Sequence, residues 1–178
     1  GNDYSWEALM GFGEEAKPFQ SLIDPDASDF LSPTDMLKAI DNFCQKTGQP
    51  PPASVGAVVR GCLESLALNY RKMIEDLENL TGHSLNTIRI VGGGSQNHLL
   101  SQFTADACQR LVVTGPVEAT ALGNVLLQII ATGHLPEIAT SRKIVAASLT
   151  QREFEPGPPD AWETAYNRFI KLKNFQSV

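Results

Sequence analysis

The chain has 178 residues, enough for one domain with a core of its own, and its 42% hydrophobic and 19% charged residues are the balance of a soluble globular protein. A net charge of −6 with no Lys/Arg cluster speaks against a nucleic-acid partner, and no apolar run reaches the ~20 residues of a membrane span. Cys44, Cys62 and Cys108 form neither a CxxC pair nor a metal-ligand spacing, and no leader pattern opens the chain; the reading is a cytoplasmic protein with three buried thiols, a Cys44–Cys62 disulfide being the less favoured alternative.

The first predicted helix covers about 4–16, with Asp3 as its cap, Trp6, Leu9, Met10 and Phe12 as apolar contacts, and Pro18 as its stop. The stretch SLIDPDASDFLSP is loop, and Ser32 followed by Pro33 predicts the start of a second helix carrying Met36, Leu37, Ile40 and Phe43 as far as Gly48. After the connector GQPPPAS, Ser54 caps the longest helix, 54–80. There Val55, Val59, Cys62, Leu66, Tyr70, Met73, Leu77 and Leu80 share one face. Arg71, Lys72, Glu75, Asp76 and Glu78 read as its solvated face, and Gly82 as its terminator.

From residue 86 the order is strand (87–91), helix (96–109), strand (RLVVTGP) and an almost wholly apolar helix (EATALGNVLLQIIATG) expected to be buried on most sides. Strand–helix–strand–helix is the signature of a parallel pair in an α/β layer. A helix over 138–148, a loop at FEPGPP and a last amphipathic helix built on Trp162, Tyr166, Phe169 and Ile170 complete the chain. An α/β domain normally begins its sheet well before residue 86, so the chain reads as part of a longer protein.

Gly92, Gly93 and Gly94 stand where the first strand hands over to a helix. Unpaired N–H groups at a helix start, beside the positive end of its dipole and bare of Cβ atoms, let a flat or anionic ligand lie against the main chain. Asn97 follows, with an amide able to donate and accept at once. The alternative is a tight turn serving helix–strand packing. Ser95-Gln96-Asn97 is not the Gly-Lys-Ser/Thr of a Walker A loop. A dinucleotide fingerprint fails too, since Asn97 stands where its third glycine belongs and the next strand ends at Thr114-Gly115 without an acid.

The segment IRIVGGGSQNHLLSQFTADACQRLVVTGPVEATALGN resembles the adenosine-binding segment of the FGGY family of carbohydrate kinases. With SLIDPD, FLSPTDM and CLESLALNYRKMIEDL, the likeness runs from about residue 4 to about 156 and is strongest to the branch acting on L-rhamnulose. It implies an α/β fold: a partial actin-like, ribonuclease H-like ATPase domain, helix-rich with short parallel strands. Residues 1–178 would form one partial C-terminal domain, truncated on its N-terminal side, with the sugar-binding N-terminal domain outside this chain. ATP and Mg²⁺ are then the implied cofactors, ATP/ADP and a ketose the partners, and self-association of the piece is a further expectation. Carried over, Gly93 and Asn97 contact the nucleotide, while Gly92 and Gly94 keep the turn tight and free of side chains.

The resemblance assigns no catalytic residue and no metal ligand to this chain, because the family's general-base aspartate lies in the other domain. Asp24, Asp26 and Asp29 read as turn residues, and Asp106 as a helix-surface or capping group. His83 and His134 read as solvated, His98 as non-catalytic, Glu118 as a charge favourable at a helix N-terminus, and Gly123 as packing against the Gly92–Gly94 turn. The competing expectations are another kinase of the family (for L-fuculose, D-xylulose or glycerol) and a non-catalytic actin-like module.

Overall fold

The computed structural model describes residues 3–148 and 151–175. Five helices and a small sheet make the body. Helix α1 (Trp6–Glu15) is capped by Ser5, whose Oγ accepts from the Ala8 N–H at 3.2 Å. This corrects Asp3 as the cap: Ser5 has the extended backbone from which a short hydroxyl reaches the third helical amide. Helix α2 (Met36–Lys46) starts later than Ser32-Pro33 predicts, because Asp35 is the residue in extended conformation, and its carboxylate accepts from the Lys38 N–H at 3.1 Å.

Helix α3 (Val55–Thr81) matches its expected bounds. Ser54 Oγ accepts from the Ala57 N–H, and Gly82 closes the helix at φ 69°. Two glycines on α3 let other backbone lie on it. A Cβ at Gly56 would stand 2.2 Å from the Phe12 carbonyl oxygen, and one at Gly61 2.5 Å from that of Ser21. Ser65 is buried beside them and accepts from the Ile23 N–H at 2.9 Å.

Strand β1 (Thr87–Ile90) pairs in parallel with β2 (Leu111–Thr114), joined by α4 (His98–Cys108). The parallel pair was expected. A third strand, β3 (Arg152–Phe154), was not: it runs antiparallel to β2, with Val112 opposite Phe154 and Thr114 opposite Arg152, so the sheet is mixed. Three residues are too few to show the alternation by which a strand is read, and Phe154 therefore looked like loop.

Helix α7 (Asp160–Phe175) lies over α3 and α4. Leu22, Leu63, Ala67, Leu68, Phe103, Ala107, Trp162, Tyr166 and Phe169 form the main core; Ile23, Ile40, Phe43 and Cys44 form a second under α2. Trp162, Tyr166, Phe169 and Ile170 all face this body as expected.

The α3 face expected to be solvated is in fact half-covered by α7. Arg71 makes two bonds to Glu163, at 2.7 and 3.2 Å, one to Glu75 at 2.9 Å, and its guanidinium lies 4.0 Å over the Tyr166 ring. Burial, helped by a short hydrogen bond to Glu75, pushes the Tyr166 hydroxyl above its ordinary range. Glu78 holds Arg110 through both carboxylate oxygens. Only Lys72 and Asp76 remain as the surface pair that the pattern predicts. The sequence also gave no sign that Glu64 is 1% exposed, bonded to Arg60 at 2.7 Å and to the Phe19 N–H at 2.8 Å; burial raises its pKa against these partners.

Helix α5 (Ala119–Ala131) departs furthest from expectation. None of its residues is buried, and Val125 and Leu127 are more than half exposed. It packs on α6 (Ile138–Ser148), and β1, at one edge of the sheet, carries no further strand on its outer side among the described residues. All three cysteines are free thiols. Cys44 and Cys108 are buried, with burial raising their pKa values to about 11 and about 12, while Cys62 is half-buried. No helix among the described residues is long and apolar enough to cross a membrane.

Candidate nucleotide site

The glycine turn sits just past the carboxyl ends of the two parallel strands, where ligands of open α/β sheets are bound. Two crossed hydrogen bonds tie it to the neighbouring loop. The Gly92 N–H donates to the Pro116 carbonyl at 3.0 Å, and the Gly115 N–H to the Ile90 carbonyl at 2.8 Å. A Cβ at Gly115 would come within 2.9 Å of Val91, so this loop is glycine by close approach.

The three central glycines differ from one another. Gly92 has φ 77° and ψ −164°, a conformation essentially reserved for glycine. Its carbonyl accepts from both the N–H and the Oγ of Ser95, at 3.0 and 2.7 Å, which winds residues Gly93–Gln96 into one 3₁₀ turn. Gly94 would meet only Ile90, at an ordinary 3.8 Å. At Gly93 an added Cβ would meet nothing within 4 Å, and its φ lies outside the left-handed region. Neither strain nor protein packing accounts for glycine at 93; its bare face opens outward.

Asn97 is buried, 6% exposed, and caps α4: Oδ1 accepts from the Leu100 N–H at 2.9 Å. Its carbonyl accepts from the N–H and Oγ of Ser101 at 3.0 and 2.9 Å. The side-chain oxygen is thus committed, and the carboxamide NH₂ is left as the group with no partner among the described residues. The turn therefore brings Gly92, Gly93, Gly94 and Asn97 together on one rigid step between β1 and α4.

Beside the step lies a cleft of about 820 Å³, walled by Ser95, Gln96, His98, Thr114 and Gly115 on one side and by Trp6 and Met10 of α1 on the other. Arg152 also faces it. Sequence reasoning passed Arg152 over because only the unpredicted pairing of β3 with β2 brings it beside Thr114.

Other singled-out residues lie elsewhere. Asp106 Oδ1 accepts from the Gly157 N–H and from Gln102, both at 2.8 Å, a structural anchor for the loop before α7. Asp24 and Asp26 are both bonded by Lys173, at 2.8 and 2.9 Å. His83 and His134 bond the ends of their own helices. Glu118 is exposed at the start of α5 and makes no side-chain cap bond. Gly123 does not pack on the glycine turn, which corrects its expected role: a Cβ there would meet nothing within 4 Å, and it lines a groove between α5 and α6 instead.

The fold has solved counterparts. Xylulose kinase from Rhodospirillum rubrum superimposes with a TM-score of 0.64 at 19% identity, over 95% of this chain and 33% of that one. Plasmodium falciparum glycerol kinase, crystallised with ADP, gives 0.70 at 14% identity, over 98% of this chain and 34% of that one. At these identities the likeness establishes the fold alone, the one expected from the resemblance. Residues 1–132 match the model of the C-terminal domain of the FGGY family of carbohydrate kinases, and the chain belongs to that family. Among its relatives are rhamnulokinases of Bacteroides thetaiotaomicron (42% identical over 167 residues, 94% of this chain and 34% of the relative) and Enterococcus faecalis (38% over 171 residues, 94% and 35%). The chain spans about a third of the length of these curated relatives.

Proposed function

We propose that this chain is the nucleotide-binding part of an ATP-dependent kinase that phosphorylates a ketose, L-rhamnulose to L-rhamnulose 1-phosphate. The observation that carries the reading is Gly93, a glycine with no conformational or packing reason to be one, on a rigid step beside the capping Asn97. A planar base or ribose can lie on that bare backbone, with the free NH₂ of Asn97 donating to it. The choice of sugar rests on relatives named rhamnulokinase at 30–42% identity. The sugar itself would be held by the N-terminal two-thirds that the relatives possess and residues 1–178 do not supply.

The reaction is in-line transfer of the γ-phosphoryl group to a sugar hydroxyl, in which positioning and charge neutralisation do most of the work. Residues here would fix the adenosine end and so the line along which the phosphates point. No group of three or more His, Cys, Asp or Glu side chains able to hold a metal ion occurs among the described residues. Mg²⁺ would be carried chiefly by the nucleotide's phosphates, as is usual for this ion. With no catalytic base assigned to it, the isolated chain is expected to turn over no sugar.

The test is a calorimetric titration of Mg-ADP into the chain and into Gly93→Val. Saturable binding that falls at least about tenfold in the variant, at unchanged melting temperature, supports the site. Equal affinity in the two proteins refutes it. A coupled ADP-release assay with a ketose panel on the longer kinase then decides the sugar, and preference for another ketose would replace L-rhamnulose.

A further inference from the structure

Three arginines of the body are bound to carboxylates: Arg60 to Glu64, Arg71 to Glu75 and Glu163, and Arg110 to Glu78. Arg152 is not. Its backbone is pinned by Thr114, whose Oγ1 accepts from the Arg152 N–H at 3.3 Å, so its Cα stands level with the end of β2 and the start of the Gly115 loop. Its guanidinium lies against the His98 ring, with Nη1 3.2 Å from each ring nitrogen, and His98 lies against Phe154, ring centres 6.1 Å apart. A guanidinium offers five N–H donors, and a histidine ring can accept at most one of them. Its charge has no counter-ion among the described residues, and it faces the cleft that Ser95 and Gln96 line. Glu7 and Glu14 also line the cleft, from α1, and neither pairs with it. Arg89 and Arg142 are likewise without ion pairs, but on the rim of the groove between α5 and α6.

We propose that Arg152, steadied by His98, is a phosphate-binding residue of the nucleotide site. The proposal rests on the nucleotide reading above and adds a residue to it. A planar fork on a short strand, two strands along the sheet from β1 and level with the Gly115 loop, suits the oxygens of a phosphate bound in the cleft beside the glycine turn. Adenosine, which has no phosphate, would ignore it.

Mg-ADP, adenosine and inorganic phosphate are titrated separately into the wild-type chain, Arg152→Ala and Arg152→Lys, with melting temperatures as the check on folding. Arg152→Ala should weaken Mg-ADP about tenfold and leave adenosine unchanged, with Arg152→Lys recovering part of the loss, as expected for a charge-assisted bond. Unchanged Mg-ADP affinity overturns the role of Arg152 and leaves the glycine-turn site standing. Equal loss of Mg-ADP and adenosine also overturns it, since Arg152 would then act through structure. Phosphate binding that depends on Arg152 while adenosine does not bind makes this an independent anion site and overturns the proposal. Absence of binding by wild type to all three overturns both this and the nucleotide reading.

Discussion

Helices α3 and α5 both read as strongly apolar elements, and they end in opposite situations. Helix α3 packs on α1, α4 and α7 and buries Leu63, Ala67 and Leu68, which corrects the face expected from its spacing: of the residues on that face, Val55, Met73, Leu77 and Leu80 are 40–83% exposed and none is buried. α5 is the more uniformly apolar of the two, yet buries no residue and touches chiefly α6. The inner face of α3 is built from glycines and partnered polar residues, Gly56, Gly61, Glu64 and Ser65, beside Leu63, Ala67 and Leu68, so the spacing of its large apolar residues names the wrong side. A helix apolar all round announces that it should be covered but gives no direction, and nothing else in residues 3–148 or 151–175 covers it. In the longer kinase proposed above, the edge of β1 that carries no strand among the described residues, and this helix, are where further structure would dock.

The largest effects should fall on the covered region. Phe169 is fully buried between α3, α4 and α7, and Phe169→Ala should cost about 3–5 kcal/mol in denaturant unfolding, the range for emptying a packed aromatic site. Leu127→Ala, on α5, should stay within about 0.5 kcal/mol, as for an unpacked surface position. If the two cost the same, the division between a packed body and an uncovered pair of helices is wrong.

A second effect concerns what the uncovered region does in solution. Contiguous exposed apolar surface drives association. Leu127 on α5 and Ile138 on α6 line one apolar groove, and Val125 and Ile144 are exposed elsewhere on the same two helices. Sedimentation velocity across a tenfold range of concentration should show the isolated chain associating, and Val125→Glu with Leu127→Glu should return it to monomer. A wild-type chain that stays monomeric throughout would show that this surface is tolerated as it stands.

The same contrast explains what could be read beforehand. Ser54 and Gly82 fixed both ends of α3, since a hydroxyl cap and a left-handed glycine are local chemistry. The parallel pair and the glycine turn between them were legible for the same reason. Arg71 and Glu78 were misread because their partners, Glu163 on α7 and Arg110 after α4, lie 92 and 32 residues away, and no helical spacing reports such distances. Glu64 was hidden for a related reason: its i,i+4 partner Arg60 looks like any surface pairing, and only the Phe19 N–H, 45 residues away, brings the carboxylate inside. Of the candidate site, the glycines and Asn97 carried their own signal, whereas Arg152 needed β3, too short to see.

A pair of small effects of opposite sign sharpens the comparison most. Gly56 and Gly123 are both helical glycines. At Gly56 a methyl group would stand 2.2 Å from the Phe12 carbonyl, and backbone must shift to admit it. Gly56→Ala should therefore destabilise by about 1–3 kcal/mol, the cost of overpacking. At Gly123 the methyl would meet nothing within 4 Å, so the helical preference of alanine over glycine acts alone, and Gly123→Ala should stabilise this chain by up to about 1 kcal/mol. In the longer kinase the sign tests whether α5 is covered there. If Gly123 is glycine because another element lies on α5, the same substitution should destabilise the longer protein. Stabilisation in both would mean that α5 stays bare at Gly123, and the docking of further structure on that face would have to be given up.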